Sequence, residues 1–417
     1  MCLGDFLLFA LFFTGHLHLT VSMSSVVADV DGPPFILVPG DGGSQVEARL
    51  NKTSVVHYVC EKTTDDFFNI WLNMELLVPL IIDCWIDNMK LVYDNASRTT
   101  RNVDGVETRI PGFGASYSVE WLDPSHASTG SYFASIVDAL VGIGYRRNIT
   151  VRGAPYDFRK APNENADYFA RLRALVEETY VASGGQRVVL LAHSMGAPMC
   201  LHFLHLQSQA WKDAHVRALV TLAGVWGGSI KALKVYAVGD DLGSYVLRES
   251  TMREQQITSP SLAWLLPSRH FWADPEVLVQ TEVRNYTVRD FRQYLVDLDY
   301  EVGWEMRKDV ERYAEDFSPP GVEVHCLQGY GVPTVDRLVF AKGKFPDGYP
   351  GFVYGDGDGT VNNRSLAGCL RWRERQPQRV YHQAFPGADH MGILRDARVL
   401  AYVSGLVAKF RAFPRRP

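Results

Sequence analysis

The chain has 417 residues, of which 47% are hydrophobic, and a formal net charge of -5 at pH 7. This length allows one large core with insertions or two domains, and the composition is typical of a globular protein. Because basic residues are not in excess, nucleic acid is not expected as a partner.

The first 25 residues predict a secretory signal peptide. Its apolar run, Phe6 to Phe13, is too short to span a membrane and is followed by small and polar residues up to Ser25. Asp5 precedes this run where a signal peptide usually carries Lys or Arg. No later segment reaches about 18 uninterrupted apolar residues, so no transmembrane helix is expected. Five glycosylation sequons agree with a secretory route: Asn51, Asn95, Asn148, Asn285 and Asn363.

A strand at residues 34–38 runs into the glycine-rich loop Pro39-Gly40-Asp41-Gly42-Gly43. In hydrolases with a serine nucleophile, a loop at this position donates a backbone N–H to the oxyanion, which requires the absence of bulky side chains. An ordinary turn after a strand is the alternative. A phosphate-binding loop is disfavoured because no Gly-Lys-Ser/Thr follows.

The next distinctive stretch is Trp71 to Ile82, which lies between Cys60 and Cys84. It has too many apolar residues for one face of a short loop. It is therefore either part of the core or an apolar patch that docks on a lipid surface. From the residues alone, the core interpretation is favoured.

The cysteines also indicate the compartment. Cys60 and Cys84 flank one compact segment, and Cys326 and Cys369 flank another. Two disulfides would suit a secreted or lumenal protein. Cys200 stands alone on a predicted helix and is expected to be a small buried hydrophobic residue.

The stretch around Ser194 carries the strongest functional pattern. Val188 to Leu191 predicts a fully buried strand, Ala192-His193-Ser194-Met195-Gly196 a sharp turn, and the following residues a helix. This is the context of the Gly-x-Ser-x-Gly nucleophile elbow, with Ala192 in place of the first glycine. The backbone N–H of Met195 would face a developing oxyanion at the helix N-terminus. The alternative is a buried strand–helix junction that happens to contain a serine.

Strands and helices alternate over most of the chain, for example helices at Ser131–Ile143 and Tyr168–Val181 and a strand at Arg217–Leu222. Between Ser229 and Pro320 the alternation is lost, which indicates an inserted cap. It resumes at residues 322–327 and continues to a final helix at about residues 394–410. The pattern predicts an α/β fold with a mostly parallel sheet and helices on both faces.

A nucleophilic serine needs a base, and the base needs an acid, in the chain order Ser, Asp or Glu, His. Asp356 and Asp358 follow a predicted buried strand and offer two candidate acids. His390 lies in the loop after the predicted last strand, where the base belongs. His382 lies inside that strand and is expected to be packed, and His193 is expected to point away from the nucleophile.

The sequence Asp356-Gly357-Asp358-Gly359 also has some likeness to a calcium-binding loop. Thr360 stands where that pattern requires a further ligand, which argues against an EF-hand. No metal and no other cofactor is expected, because a serine triad supplies its own nucleophile.

With these motifs together, the sequence resembles the lecithin–cholesterol acyltransferase family from about Pro34 to the C-terminus. The stretches that carry the resemblance are long and irregular: Ile81–Asn88, Val151–Asp157, Ala161–Asn165, Ala192–Gly196, Gln209–Asp213, Gly355–Val361 and Ala388–His390.

The resemblance implies specific roles for residues of this chain. It implies Ser194 as nucleophile, Asp358 as acid and His390 as base, with an oxyanion hole formed by the backbone N–H groups of Asp41 and Met195. It implies disulfides Cys60–Cys84 and Cys326–Cys369. It reverses the core interpretation of the apolar stretch and implies membrane docking through Trp71, Leu72, Leu76, Leu77 and Val78.

The same resemblance implies a division of the chain. The signal peptide is residues 1–25, the α/β-hydrolase core is residues 30–59, 93–228 and 321–417, the lipid-docking subdomain is residues 60–92, and the cap or lid is residues 229–320. Two departures from the family pattern, Val225 in place of Pro and Phe158 in place of Trp, lie near the expected acyl-binding region.

The predicted function is that of a serine acyl hydrolase and transacylase acting on phospholipids, with water or a lipophilic alcohol such as ceramide as acyl acceptor. Phospholipid membranes or lipoprotein surfaces are its expected peripheral partners, and a lysosomal or secreted monomer is expected. The alternatives are a secreted phosphatidylcholine–sterol acyltransferase and a non-catalytic lipid-binding protein. The latter would require a broken triad or oxyanion loop.

Overall fold

The computed structural model describes residues 32–127, 130–243 and 247–412. The predicted signal peptide lies outside these ranges. Within them, none of the helices is long and apolar enough to cross a membrane.

The strands of the described residues are β1 (Phe35–Val38), β2 (Val46–Leu50), β3 (Phe68–Trp71), β4 (Leu91–Asp94), β5 (Thr99–Asn102), β6 (Val106–Arg109), β7 (Val151–Gly153), β8 (Val188–His193), β9 (Val216–Leu222), β10 (Val279–Gln280), β11 (Asn285–Tyr286), β12 (Val324–Tyr330), β13 (Val332–Val339), β14 (Gly351–Gly357) and β15 (Val380–Pro386). The helices are α1 (Ile81–Met89), α2 (Tyr117–Glu120), α3 (Ala134–Gly142), α4 (Ala166–Ala182), α5 (Gly196–His205), α6 (Gln209–His215), α7 (Ile230–Val238), α8 (Glu249–Gln256), α9 (Pro260–Trp264), α10 (Phe291–Asp297), α11 (Glu301–Glu315), α12 (Asn363–Leu366) and α13 (Ala397–Ala412). Short 3-10 turns lie at Met74–Leu77, Pro162–Glu164, Ala367–Trp372 and Gly392–Leu394.

The central sheet has the strand order β15-β12-β9-β8-β1-β7, and every pair in it is parallel. Its middle strands β1 and β8 are buried on both faces, which explains their continuous apolar sequences. Alternate residues of β1 belong to two cores: Phe35 and Leu37 pack with α3 and α13, while Ile36 and Val38 pack with α4 and α5. The predicted α/β fold with a mostly parallel sheet is confirmed.

The helix bounds differ from prediction by a few residues. The helix predicted from Ser131 begins at Ala134 because Ser131 forms a β-bridge with Trp121 instead. The helix predicted at Tyr168–Val181 spans Ala166–Ala182.

The predicted docking subdomain is joined to the core by hydrogen bonds. Its strand β3 pairs with β2, and β2 pairs with β6, so a three-stranded sheet crosses the predicted boundaries at residues 60 and 92. The disulfide Cys60–Cys84 ties the loop before β3 to α1.

The predicted cap contains α7 to α11 and the short strands β10 and β11. β10 pairs with β13 in parallel, with Val279 opposite Leu338, and β13 pairs with β14 in antiparallel fashion. The resulting sheet, in the order β11-β10-β13-β14, crosses the predicted boundary at residue 320. The chain leaves β14 at Gly357 and enters Asp358 directly.

Candidate active site

The turn between β8 and α5 holds Ser194 in a left-handed backbone conformation with φ of +54°. This conformation is uncommon for a residue with a side chain, and it is typical of the sharp turn that presents a nucleophile. The amide of Ser194 donates to the carbonyl oxygen of Leu222 at 2.9 Å. Gly196 leaves no room for a side chain, since a Cβ there would lie 2.5 Å from the carbonyl oxygens of Val38 and Pro39. These features favour a nucleophile elbow over an ordinary strand–helix junction.

Three side chains from separate parts of the chain meet at this turn. Nε2 of His390 lies 2.9 Å from Oγ of Ser194, and Nδ1 of His390 lies 2.7 Å from Oδ2 of Asp358. The backbone N–H of His390 also donates to the carbonyl oxygen of Asp358 at 2.8 Å. With Nδ1 donating to the carboxylate, Nε2 is left to accept the serine proton.

The carboxylate of Asp358 is fully buried and accepts three hydrogen bonds. Its Oδ1 accepts the backbone N–H groups of Val361 at 2.7 Å and Thr360 at 3.0 Å. Burial raises the pKa of Asp358, but the charge and hydrogen bond of His390 and these two N–H groups outweigh it, so the pKa lies below its usual value. Asp358 therefore remains an anion that orients the imidazole.

The other candidate acid, Asp356, bonds to other residues and not to His390. It lies in β14 and accepts the backbone N–H of Gly331 at 2.7 Å and Nδ2 of Asn363 at 2.8 Å. The expectation that the two acids follow a buried strand is wrong. β14 is the last strand of its sheet and most of its residues are exposed or half-buried, so Asp358 is reached from an edge strand.

The glycine-rich loop after β1 lies directly against the nucleophile. A Cβ at Gly40 would be 2.6 Å from Cβ of Ser194, so only glycine fits there. In the described part of the chain, the backbone N–H groups of Asp41 and Met195 have no hydrogen-bond acceptor. Asp41 follows Gly40, which lies against Ser194, and Met195 follows Ser194 itself. Two backbone N–H groups placed in this way beside a nucleophile are what an oxyanion hole requires.

The side chain of Asp41 reaches solvent but is crowded by protein on its other sides. This crowding raises its pKa to about 6, against the opposing charge of Lys231 and the N–H of Gly42. The indole Nε1–H of Trp71 donates to the carbonyl oxygen of Gly42 at 2.8 Å and so helps to fix this loop.

Comparison with known proteins identifies the family. The family model for lecithin:cholesterol acyltransferase matches residues 67–397. The chain belongs to the lecithin:cholesterol acyltransferase family. Within this family it is similar to the Homo sapiens protein named lysosomal phospholipase A and acyltransferase, with 52% identity over 371 residues, which cover 89% of each chain. The Mus musculus protein of the same name is 51% identical over 371 residues, with the same coverage of 89% of each chain. Phosphatidylcholine-sterol acyltransferase of Gallus gallus is 42% identical over 363 residues, which cover 87% of each chain.

In this acyltransferase-family chain, the two other histidines weighed as bases contact different groups. Nε2 of His382 lies 3.0 Å from Oε1 of Gln328, away from the nucleophile. The ring of His193 is buried and contacts the hydroxyl of Tyr132 and the backbone carbonyl of His390. Tyr132 was not predicted as part of the site, because it precedes His193 by 61 residues and no local sequence pattern marks it.

The apolar stretch that family resemblance assigns to membrane docking is only partly at the surface. Its five predicted docking residues differ in exposure: Trp71 and Leu77 are buried, Leu72 and Leu76 are half-buried, and Val78 is exposed. Trp71 is buried because its ring packs against Trp85 and Phe158 and its indole N–H bonds to Gly42 of the glycine-rich loop. Two neighbours that were not predicted, Met74 and Leu80, are 40% and 58% exposed.

The cysteines pair as the resemblance implies. Cys60 is bonded to Cys84 and Cys326 to Cys369. Cys200 is a free, fully buried thiol whose pKa is raised by burial, in agreement with a packing role.

The sequons are not equally accessible. The asparagines at positions 51, 95, 148 and 285 are exposed. Asn363 is half-buried, its Nδ2 donates to Asp356 at 2.8 Å, and its Oδ1 accepts from Gln328 at 2.7 Å.

The two departures from the family pattern lie beside the site. Phe158 packs against Trp71 with ring centroids 5.9 Å apart. The backbone N–H of Val225 lies 3.4 Å from the carbonyl oxygen of Ser194. Val225 therefore lies next to the nucleophile, and Phe158 contacts the tryptophan that fixes the glycine-rich loop.

A cluster of Asp240, Asp241 and Glu249 has carboxylate oxygens within 4.8 Å of one another. Lys234 forms ion pairs with Asp240 and Glu249, and Lys231 lies 3.1 Å from Asp240. Because lysines already balance these charges, the cluster is an ion-pair network rather than a set of free metal ligands.

Proposed function

We propose that this chain is a serine-dependent phospholipase A and acyltransferase. The observation that carries the proposal is the hydrogen-bonded series Ser194–His390–Asp358. It lies beside two backbone N–H groups that have no acceptor within residues 32–127, 130–243 and 247–412. The relatives named lysosomal phospholipase A and acyltransferase, at 50–52% identity, support the same substrate class.

In the proposed mechanism, Nε2 of His390 takes the proton of Ser194 as Oγ attacks the acyl ester carbonyl of a phospholipid. The N–H groups of Asp41 and Met195 then bind the tetrahedral oxyanion, each contributing about 3 kcal/mol of transition-state stabilisation. His390 returns the proton to the departing lysophospholipid, which leaves an acyl-enzyme on Ser194. Water or a lipophilic alcohol such as ceramide next attacks the acyl-enzyme, again with His390 as base. The bond between the acyl carbon and Oγ of Ser194 then breaks, His390 returns the proton to Oγ, and a fatty acid or the acylated alcohol leaves.

Substitution of the nucleophile tests this proposal. Ser194→Ala should abolish fatty-acid release from phospholipid liposomes and labelling by a fluorophosphonate. Ser183→Ala is a matched control, because the hydroxyl of Ser183 has no hydrogen-bond partner among the described residues and lies at the end of α4. If folded Ser194→Ala protein still released fatty acid at the control's rate, the serine mechanism would be wrong.

The acyl acceptor distinguishes the proposed phospholipase and acyltransferase from a sterol acyltransferase. Higher identity to the lysosomal enzymes than to the sterol acyltransferase, 52% against 42%, favours water or a ceramide-like alcohol over sterol. Liposomes that contain both ceramide and sterol answer the question by which lipid gains the acyl chain. Acylation of sterol alone would support the alternative of a secreted sterol acyltransferase. Labelling of Ser194 would exclude a non-catalytic lipid-binding protein.

We further propose that residues 60–92 dock on phospholipid membranes or lipoprotein surfaces, with residues 229–320 as a cap. The exposed apolar side chains of Met74, Val78 and Leu80 support docking, because they are close together in sequence and clustered exposed apolar side chains mark surfaces that bind lipid or protein. Val78→Asp with Leu80→Asp should weaken liposome co-sedimentation about tenfold or more. Val181→Asp is the control, since Val181 is 74% exposed on α4. Equal co-sedimentation of the two proteins would refute docking at this turn.

The names of the relatives that are 51–52% identical also support a lysosomal location, reached by the secretory route. We propose a monomer, because a single chain supplies all members of the triad and both oxyanion donors. Size-exclusion chromatography with light scattering tests this.

A further inference from the structure

Two buried side chains connect the glycine-rich loop to the base. The hydroxyl of Tyr132 lies 2.9 Å from the backbone N of Gly40 and 2.5 Å from Nδ1 of His193. Nε2 of His193 lies 2.9 Å from the carbonyl oxygen of His390. Tyr132 and His193 are 3% and 1% exposed, so water does not compete for these contacts.

The direction of every hydrogen bond in this series is fixed by its two ends. A backbone N–H can only donate, so Gly40 donates to the oxygen of Tyr132. A backbone carbonyl can only accept, so Nε2 of His193 carries a proton and donates to His390. Nδ1 of the neutral ring is then an acceptor, and the hydroxyl of Tyr132 donates to it.

The protonation states agree with this direction. Burial, together with the charge of His390, lowers the pKa of His193 to about 3, so its ring is neutral and has one proton. Burial raises the pKa of Tyr132, so its hydroxyl keeps the proton that it donates.

The same series of hydrogen bonds also constrains the positions of the glycine-rich loop and of His390. The ring of Tyr132 fills the space beneath the loop, because a Cβ at Gly43 would lie 2.6 Å from its Cζ. The backbone of His390 is held on both sides: its N–H donates to Asp358 at 2.8 Å and its carbonyl accepts from His193. A shift of the glycine-rich loop would therefore be transmitted to the base.

We propose that Tyr132 and His193 are positioning residues that hold the oxyanion loop and the general base in register with Ser194. This inference rests on the proposed function, and it adds that two side chains that touch no substrate set the rate of the chemical step. Its physical basis is that displacement of a reacting group by about 1 Å can cost about 100-fold in rate.

The first test is Tyr132→Phe, which removes only the hydroxyl. Hydrolysis of liposomes should show kcat lowered about 10- to 100-fold with KM within about twofold, and fluorophosphonate labelling of Ser194 should slow by a similar factor. Tyr145→Phe is the matched control. Tyr145 is also buried, at 1% exposure, and its hydroxyl donates to the carbonyl oxygen of Pro33 at 2.9 Å, away from the nucleophile.

The second test separates the two contacts of His193. In His193→Gln, the side-chain amide can still donate to the carbonyl of His390, whereas the shorter side chain of His193→Asn can meet only Tyr132. We expect kcat of the Gln variant to exceed that of the Asn variant by at least about fivefold at similar melting temperatures.

The inference is overturned if Tyr132→Phe and Tyr145→Phe have the same kcat, or if the Gln and Asn variants are equal. Failure of the proposed function has a different signature, since wild-type protein itself would then resist labelling at Ser194. A purely structural role would lower the melting temperature of Tyr132→Phe and Tyr145→Phe equally and leave kcat of the folded protein unchanged.

Discussion

Replacement of Asp358 by Asn is the sharpest test of the triad, because it changes one atom and leaves the shape of the site intact. The carboxylate accepts Nδ1–H of His390 through Oδ2 and two backbone N–H groups through Oδ1, at 2.7 Å from Val361 and 3.0 Å from Thr360. An amide has a single acceptor oxygen, and two backbone donors already face one position. We therefore expect the amide oxygen to stay there and the NH₂ group to face His390.

That orientation of the amide changes the tautomer of the His390 imidazole. Nδ1 of His390 would have to accept from the amide, so the ring proton would move to Nε2, which faces Oγ of Ser194. An imidazole with Nε2 protonated cannot remove the serine proton. In serine hydrolases of another fold, the equivalent change lowers kcat about 10⁴-fold, which corresponds to about 5 kcal/mol. We expect a loss of that order here.

The assay is the rate of fatty-acid release from phospholipid liposomes, with Asp356→Asn as the control two residues away. Asp356 is exposed and bonded to Gly331 and Asn363, so its variant should stay within about threefold of wild type. If Asp358→Asn kept more than about a tenth of the wild-type kcat, or if Asp356→Asn lost more than it, our assignment of the acid would be wrong.

Three further predictions follow from buried or crowded positions. The pKa of His193 is about 3 in the folded protein, below its usual 6.5. Between these values the unfolded state binds more protons than the folded state, so the free energy of unfolding falls as the pH drops. In denaturant titrations, His193→Gln should reduce the loss of stability between pH 7 and 4.5 by about 2.5 kcal/mol. Asn363 should carry no glycan while Asn285 does, because both amide atoms of Asn363 are hydrogen-bonded; glycopeptide mass spectrometry measures this. Gly40→Ala should lower kcat about 100-fold or more, since its Cβ would lie 2.6 Å from Cβ of Ser194 and displace the loop.

Each of these has a clear contrary outcome. An unchanged difference in stability between the two pH values would mean that His193 titrates normally in the folded state. A glycan on Asn363 would mean that its hydrogen bonds to Asp356 and Gln328 do not protect its amide from glycosylation. Wild-type kcat in Gly40→Ala would remove the glycine-rich loop from the site.

The sequence predicted those features that depend on local pattern and chain order. The buried strand before Ser194, the small residues around it and the loop with His390 are each visible in a few consecutive residues. The parallel sheet followed from alternating strands and helices, which leave few topologies.

Features that depend on distant contacts could not be predicted in this way. The hydroxyl of Tyr132 meets Gly40 across 92 residues and His193 across 61, and neither partner is marked by spacing. Tryptophan is a residue type typical of membrane anchors, but the indole of Trp71 donates a hydrogen bond to Gly42 and is buried. The strand before Asp358 has an apolar sequence, Phe-Val-Tyr, that does not distinguish a central strand from an edge strand.

The pairing of β10 with β13 has a consequence for protein engineering. Chimaeras between relatives are usually cut where one domain ends, which here would exchange residues 229–320. Such an exchange would put the paired residues Val279 and Leu338 in segments from different relatives, one hairpin away from the proposed triad acid. Exchange of residues 229–357 would keep β10, β13 and β14 together, but it would also exchange β12, which pairs with β9 and β15 in the central sheet. Neither segment is therefore an independent module, and a graft of substrate preference has to keep these strand pairs matched.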